Sequence, residues 1–190
     1  MKIGFAMTAA YGLLPKAVEK LEELVNLGHD VYPIISENIR RYEDRLGNLP
    51  QIIEKVEKIT NKKVIDNIID AETFGPRNKL DAVVVMPATG DFIGKFANGI
   101  TDNPVNLAVK ATMRNQRPII IAVSTNDGLG LNGQNIMKLL NTKNIYFVPF
   151  GQDNYIEKPN SLVAHYDLLS QTIEEALKGK QIQPLLVDYK

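Results

Sequence analysis

The stretch Asp81–Val105, DAVVVMPATGDFIGKFANGITDNPV, decides the fold of this chain. It opens with a short apolar run, Ala82–Met86, which is rich in β-branched residues and stops at Pro87. A small polar loop, Thr89-Gly90-Asp91, follows, and after one short helical segment comes a second polar turn, Gly99–Asn103. This order predicts a buried parallel strand that delivers a polar loop to the N-terminus of a helix. Ligands of open parallel sheets bind at that end of the strands, so the stretch also predicts a site.

Strand-like and helix-like segments alternate along the rest of the chain. Apolar runs separated by helices are typical of a parallel sheet that is covered on both faces. We therefore predict one α/β domain over residues 1–190, a doubly wound, Rossmann-like three-layer sandwich. The predicted strands are Lys2–Met7, Val31–Ile35, Ala82–Met86, Pro118–Val123 and Ile145–Pro149; the predicted helices are Pro15–Leu27, Asn48–Ile59, Pro104–Asn115, Asn132–Leu140 and Asp167–Lys178; Val64–Ile69 fits either a strand or a helical turn.

Composition excludes several classes of protein. Lysine plus arginine equals aspartate plus glutamate, 22 each, so there is no basic excess to attract a nucleic acid. The chain has no cysteine, which excludes disulfides, thiolate metal sites and cysteine nucleophiles. Its two histidines are far apart in sequence and belong to no metal-spaced cluster. The apolar run at the N-terminus is too short for a signal peptide and no stretch reaches membrane-spanning length, so we expect a cytoplasmic protein.

Four loops of polar or small residues follow predicted strands and should converge at one edge of the sheet. Hydroxyls and backbone N–H groups at helix starts suit a phosphate, because unpaired donors and the helix dipole both favour an anion. Each residue also has a simpler role, since Thr89 or Ser124 could merely start a helix. Their shared placement favours a small-molecule site, although the dinucleotide fingerprint GxGxxG and the P-loop pattern are both absent. The loops are Thr8–Gly12, Ser36–Asn38, Thr89–Phe92 and Ser124–Gly128.

Five segments carry a family likeness that covers nearly the whole chain. They are KIGFAMT (2–8), VYPIISEN (31–38), PATGDFIGKFANGITDNPV (87–105), RPIIIAVSTNDGLG (117–130) and NTKNIYFVPFGQD (141–153). On these segments the chain resembles the flavoprotein family of FMN-binding cysteine decarboxylases and their relatives. Within that family it is most similar to the dipicolinate synthase branch.

The resemblance implies a flavodoxin-like subunit of a homo-oligomer that holds FMN near a subunit interface. An apolar tail after Gly179, which predicts packing on this chain or on a neighbour, agrees with an oligomer. The implied cofactor-binding residues are Thr8, Ala9 and Ala10 at the phosphate, Ser36 in the loop after the second strand, Thr89, Gly90, Asp91 and Phe92 lining the flavin site, Thr101 and Asp102 near the isoalloxazine ring, and Ser124, Thr125 and Asn126 near its other side.

For the dipicolinate synthase branch, the resemblance implies oxidation of a dihydrodipicolinate-type precursor to pyridine-2,6-dicarboxylate for the spore. A partner A subunit is expected to carry the nicotinamide-binding domain, so NADPH would enter only through that partner. Two alternatives remain open. One is a binding or scaffold paralogue that has lost FMN, and the other is a free-standing FMN-dependent decarboxylase, for which the histidine used by related enzymes has no counterpart here.

Two departures from the family pattern predict weak or lost FMN binding. Ala9-Ala10 stand where the family has Gly-Ser, which removes a hydroxyl worth about 1.5–3 kcal/mol to a charged acceptor. Asp91-Phe92 stand where the family has Asn-Thr. A carboxylate cannot donate a hydrogen bond to phosphate or flavin oxygens, and it repels an anion.

Overall fold

The computed structural model describes residues 1–41 and 49–188, in which seven strands form one mixed sheet flanked by helices. The strands are β1 (Lys2–Met7), β2 (Asp30–Ile35), β3 (Ala82–Ala88), β4 (Ile119–Thr125), β5 (Ile145–Phe147), β6 (Phe150–Gly151) and β7 (Leu162–Ala164). The helices are α1 (Leu14–Asn26), α2 (Glu37–Arg41), α3 (Leu49–Thr60), α4 (Ile68–Glu72), α5 (Gly90–Ala97), α6 (Pro104–Arg114), α7 (Leu131–Leu140) and α8 (Leu169–Leu177).

The parallel part of the sheet has the strand order β2-β1-β3-β4-β5. This is the flavodoxin-like order, in which the chain changes direction across the sheet between β1 and β3 and leaves a crevice at the carboxyl ends of those strands. Every residue of β3 is buried, as expected for a central strand with helices on both faces. The predicted doubly wound α/β fold is confirmed.

The sheet is not parallel throughout, which corrects the prediction. The first half of β4 pairs with β5, and its last two residues, Ser124 and Thr125, extend beyond β5 and pair antiparallel with β7. β6 then pairs antiparallel with β7. The reason is the unequal length of β4 and β5, because backbone groups at the end of β4 need another partner once β5 has stopped. Two- and three-residue strands leave too short a pattern for a sequence-based prediction.

Other predicted boundaries hold with small shifts. Val64–Ile69 divides into a parallel bridge from Ile65 to Ile34 and the start of α4, where the Asn67 side chain accepts a hydrogen bond from Asp70 N at 2.9 Å. The last helix begins at Leu169, after a 3-10 turn, rather than at Asp167. Asn48, the predicted start of α3, lies outside the described residues.

The C-terminal tail packs on its own chain as far as it is described. Phe150 N donates to Leu185 O at 3.0 Å, and Val187 N donates to Phe150 O at 3.1 Å, so the tail runs along β6. The side-chain amide of Gln181 bonds both backbone groups of Phe147, at 2.8 and 2.7 Å. In the ranges 1–41 and 49–188, no helix is long and apolar enough to cross a membrane.

Candidate functional site

The carboxyl ends of β1 and β3 are joined through the hydroxyl of Thr8. This hydroxyl donates to Pro87 O at 2.6 Å and accepts from Thr89 N at 3.0 Å, while the Thr89 hydroxyl lies 3.0 Å away. Thr8 is buried, so these contacts are shielded from water. A hydroxyl has one proton to donate, and here that proton is committed to a backbone carbonyl. Thr8 therefore lies at the predicted site but holds the two strand ends together.

α5 begins directly against the end of β4. Thr89 occupies the N-cap position but its side chain makes no capping bond, because it faces Thr8. Gly90 comes next, and a Cβ there would lie 2.7 Å from Asn132 Nδ2, 2.8 Å from Thr125 Oγ1 and 3.0 Å from Asp127 Oδ1. The absence of a side chain at Gly90 lets the helix start this close to the β4–α7 connection. This contact confirms that the loops after β3 and β4 lie together.

A hydrogen-bonded network centred on Asp127 forms the β4 side of this contact. Thr125 Oγ1 donates to Asp127 Oδ1 at 2.6 Å, and Asn132 Nδ2 lies 3.0 and 3.1 Å from the two carboxylate oxygens. Asn135 Nδ2 in turn donates to Asn132 Oδ1 at 3.0 Å. The hydrogen bond from Thr125 lowers the pKa of Asp127; burial opposes this effect and the bond from Asn132 adds to it.

The sequence pattern placed Asp127 in a loop and did not reveal this network. The usable signal was the Thr-x-Asp spacing at a strand end, because a hydroxyl two residues before a carboxylate can close a local turn.

A small polar pocket of about 40 Å³ lies between α5 and the turn that precedes α6. Lys95 Nζ bridges two carboxylates there, 3.5 Å from Asp91 Oδ1 and 3.3 Å from Asp102 Oδ2. Burial lowers the pKa of Lys95, but its hydrogen bond to Asp102 and the charge of Asp91 outweigh burial and raise it. Burial raises the pKa of Asp102, but bonds from Asn103 and Lys95 outweigh burial and lower it. The lining residues are Ser36, Glu37, Asn38, Asp91, Lys95, Asp102 and Asn103.

Asn103 fixes the turn that carries Asp102. Its side-chain oxygen accepts from Asn106 N at 3.0 Å and so caps α6, while Pro104 occupies the first turn. Its side-chain nitrogen lies 3.1 Å from Asp102 Oδ1. The sequence pattern placed this turn near the site without indicating that Asn103 holds it, although Asn-Pro before an apolar run is a recognisable helix start.

Two predicted site residues are placed elsewhere. Phe92 is 1% exposed and stacks on Phe96 at 5.5 Å between ring centroids, so it belongs to the core; this corrects the expectation that it lines the flavin site. Its position two residues into an amphipathic helix directs it inward. Ser124 lies in β4, opposite Val163 of β7, rather than in a loop or at a helix cap.

The remaining predicted residues do lie at the carboxyl edge of the sheet or next to it. Ser36 follows β2 and is buried, and its hydroxyl has no hydrogen-bond partner among residues 1–41 and 49–188. Ala9, Ala10, Thr101 and Thr125 are half-buried, and Asn126 and Asp102 are exposed. The described residues contain no group of three or more histidine and acidic side chains that could hold a metal ion.

Two predicted hydroxyl donors at this edge are committed to protein acceptors, whereas the buried Ser36 hydroxyl has no partner among residues 1–41 and 49–188. The protons of the Thr8 and Thr125 hydroxyls go to Pro87 O and Asp127 Oδ1, and Ala9 and Ala10 have no polar side chain. The start of α5 offers backbone N–H groups to an anion, but Asp91 lies in the same first turn with its own negative charge. The hydrogen bonds of Thr8 and Thr125, which the sequence alone did not reveal, are consistent with the prediction of weak phosphate binding, and the Ser36 hydroxyl is a donor that stays available to an anion.

Comparisons with known proteins agree with this architecture. The family model described as Flavoprotein matches residues 1–175. The B subunit of dipicolinate synthase from Bacillus subtilis (strain 168) is 47% identical over 187 residues, which cover 98% of this chain and 94% of that protein. The crystal structure of the dipicolinate synthase B subunit from Bacillus halodurans has a TM-score of 0.91 and 45% identity, covering 98% of this chain and 96% of that one.

A more distant likeness extends to an FMN-dependent enzyme. The dodecameric FMN-dependent UbiX-like decarboxylase of Escherichia coli O157:H7 has a TM-score of 0.68 and 16% identity, covering 94% of this chain and 93% of that one. At this identity the likeness shows a shared fold.

Proposed function

The chain belongs to the Flavoprotein family, and we propose that it is the B-type subunit of a dipicolinate synthase. The observation that carries the proposal is the likeness to the Bacillus subtilis protein, because it spans nearly the whole of both chains. In this role the chain assists the oxidation of a dihydrodipicolinate-type precursor to dipicolinate in the cytoplasm. A partner A subunit supplies the nicotinamide cofactor.

The carboxyl edge of the sheet has no evident catalytic group of its own among the described residues. This supports the proposal that the chain acts together with a partner subunit. The carboxylate of Asp127 is occupied by Thr125 and Asn132, and the ammonium of Lys95 is occupied by two carboxylates. Neither group is poised as a general base or a nucleophile, which would need a free lone pair and a pKa near neutrality. We propose that the edge binds and orients the substrate or a flavin, and that redox chemistry comes from a cofactor.

Complementation tests this function directly. A Bacillus subtilis strain that lacks its own B-type subunit would express this chain during sporulation, and spore dipicolinate would be measured by terbium luminescence. We expect dipicolinate to return, and the empty vector to leave the spores deficient. A second strain would carry the A subunit from the same source as this chain, so that a mismatch between subunits does not hide activity. Protein detected in both strains without dipicolinate would exclude the proposal.

A second candidate is the binding or scaffold paralogue that has lost FMN. The hydroxyls of Thr8 and Thr125 already donate their protons to Pro87 O and Asp127 Oδ1, which favours this candidate. The absorption spectrum of the purified protein separates a flavin-loaded subunit from this candidate, since bound flavin is yellow. Complementation by colourless protein would mean that the chain serves the synthase without a resident flavin.

A further inference from the structure

A second cleft lies between α4 and α6, away from the candidate site. Its volume is about 400 Å³, which is within the range of small-molecule pockets. α6 begins at the carboxyl edge of the sheet, beside the turn that Asn103 holds, and its 11 residues carry the chain about 16 Å from that edge. The cleft is lined by the last two turns of α6 and by the segment at the end of α4, so it is separate from the polar pocket.

Two cations lie on the α6 side of this cleft. Lys110 and Arg114 are one helical turn apart on the same face of α6, and both are exposed. Neither forms an ion pair with any residue in the ranges 1–41 and 49–188. Glu72 is the only acidic residue among the described residues of the lining, so positive charge is in excess there. Like charges at this helical spacing repel each other, and an anionic ligand between them would relieve that repulsion.

Gly75 lets the guanidinium of Arg114 lie against the backbone. A Cβ at residue 75 would be 2.5 Å from Arg114 Nη2 and 3.5 Å from its Cζ, so the guanidinium takes the place of the missing side chain. Asn115, the next residue along, holds the same segment, because its side-chain amide donates to Gly75 O at 3.2 Å. A guanidinium placed in this way presents a fork of N–H donors that matches the two oxygens of a carboxylate.

The remaining lining is apolar and consists of Pro76, Leu107 and Ala111. Residues four apart on a helix have their Cβ atoms about 5–6 Å apart, a separation that two carboxylates on one six-membered ring can bridge. We infer that the cleft binds a flat dicarboxylate, with one carboxylate on Arg114, the other on Lys110 and the ring over the apolar lining. Dipicolinate, the product of the proposed function, has this chemistry, so the choice of ligand rests on that function.

Isothermal titration calorimetry of the full chain with dipicolinate, in metal-free buffer, tests the inference. We expect binding that weakens with added salt, because the contact is between opposite charges. Pyridine-2-carboxylate has a single carboxylate and inorganic phosphate has no ring, so both should bind more weakly. The absence of dipicolinate binding at millimolar concentration, or phosphate binding of equal strength, would overturn the inference.

Charge variants locate the bound dicarboxylate. Arg114→Gln and Lys110→Gln each remove one cation and should each weaken dipicolinate binding roughly tenfold. Glu72→Gln should act in the opposite direction, because it removes a carboxylate that repels the ligand. Lys138→Gln is the matched control, since Lys138 is an exposed lysine of α7 that does not line the cleft. Unchanged binding by either cation variant, or an equal loss in the control, would mean that dipicolinate binds elsewhere and would refute the inference.

Gly75→Ala separates a positioned site from diffuse surface charge. It keeps every charge, but its methyl group displaces the guanidinium from its place over residue 75. We expect dipicolinate binding to weaken severalfold and phosphate binding to change little; unchanged dipicolinate binding by the folded variant would contradict the inference. If this variant does not fold, the charge variants still decide. Complementation by the unmodified chain does not depend on these titrations, so failure of the inference would leave the proposed function standing on its own test.

Discussion

At the scale of single residues, Gly90 is the position at which the structure most clearly requires the absence of a side chain. A Cβ there would meet three polar atoms of the Asp127 network at 2.7–3.0 Å, and hydrogen bonds hold these atoms to one another. We expect Gly90→Ala to destabilise the fold by about 1–3 kcal/mol, because the network must shift to admit the methyl group. Urea unfolding would measure this loss.

Gly94, one turn later in α5, is the matched control. A Cβ at Gly94 would come no nearer than 3.4 Å to Asn132 Oδ1, which is an ordinary contact. Gly94→Ala should therefore show the normal preference of a helix for alanine over glycine and stabilise the protein by up to about 1 kcal/mol. Equal effects of the two substitutions would mean that close packing at Gly90 does not matter.

The residues of the site were only partly predictable from the sequence. Residue type and position after a strand placed Thr8, Thr89 and Thr125 at one edge of the sheet. The sequence could not show where their protons go, because Pro87 O and Asp127 become partners only once β1, β3 and β4 lie side by side. Phe92 was misplaced because one residue of shift along a helix turns a side chain from the cleft to the core.

At the scale of elements, the Asp127 network joins the end of β4 to the start of α7. Since the folded pKa of Asp127 is lowered, its charged form stabilises the native state above its unfolded pKa of about 3.9. This contribution is lost as the pH falls through the folded pKa. We expect Asp127→Asn to cost about 1–2 kcal/mol near neutral pH, and expect the difference from the unmodified chain to shrink below about pH 4.

Urea unfolding over a series of pH values would check this dependence. Thr125→Val is the companion variant, since it removes the hydrogen bond that contributes most to the lowered pKa of Asp127. In this variant we expect the stability to be lost at a higher pH than in the unmodified chain. Parallel stability curves for the unmodified chain and Asp127→Asn across the acid range would contradict the assignment.

Elements with a strong apolar pattern were predicted well, and short ones were not. β1 was placed with its observed bounds, Lys2–Met7, because a buried parallel strand reads as a continuous apolar run. α2, β6 and β7 were missed because five, two and three residues give no measurable period. Their formation depends on neighbours that are distant in sequence, as with the pairing of Thr125 and Leu162.

At the scale of the whole molecule, the described surface exposes large apolar side chains around one open groove. Leu129, Tyr155 and Leu186 line this groove beside the C-terminal tail, and each is more than half exposed. Ile156, next to Tyr155 in sequence, is 79% exposed. A cluster of this kind on a water-facing surface is typical of a protein–protein contact.

We predict from this surface that the chain forms a homo-oligomer. Sedimentation velocity at micromolar concentration should give a species heavier than the 21.2 kDa subunit. Leu186→Lys places a charge in the groove and should shift the distribution towards the monomer, because an unpaired buried charge is costly at an interface. Ile69→Lys is the control, since Ile69 is also highly exposed but lies on α4 and does not line the groove. A clean monomer of the unmodified chain would refute the prediction, and equal dissociation by both variants would show that the groove is not the interface.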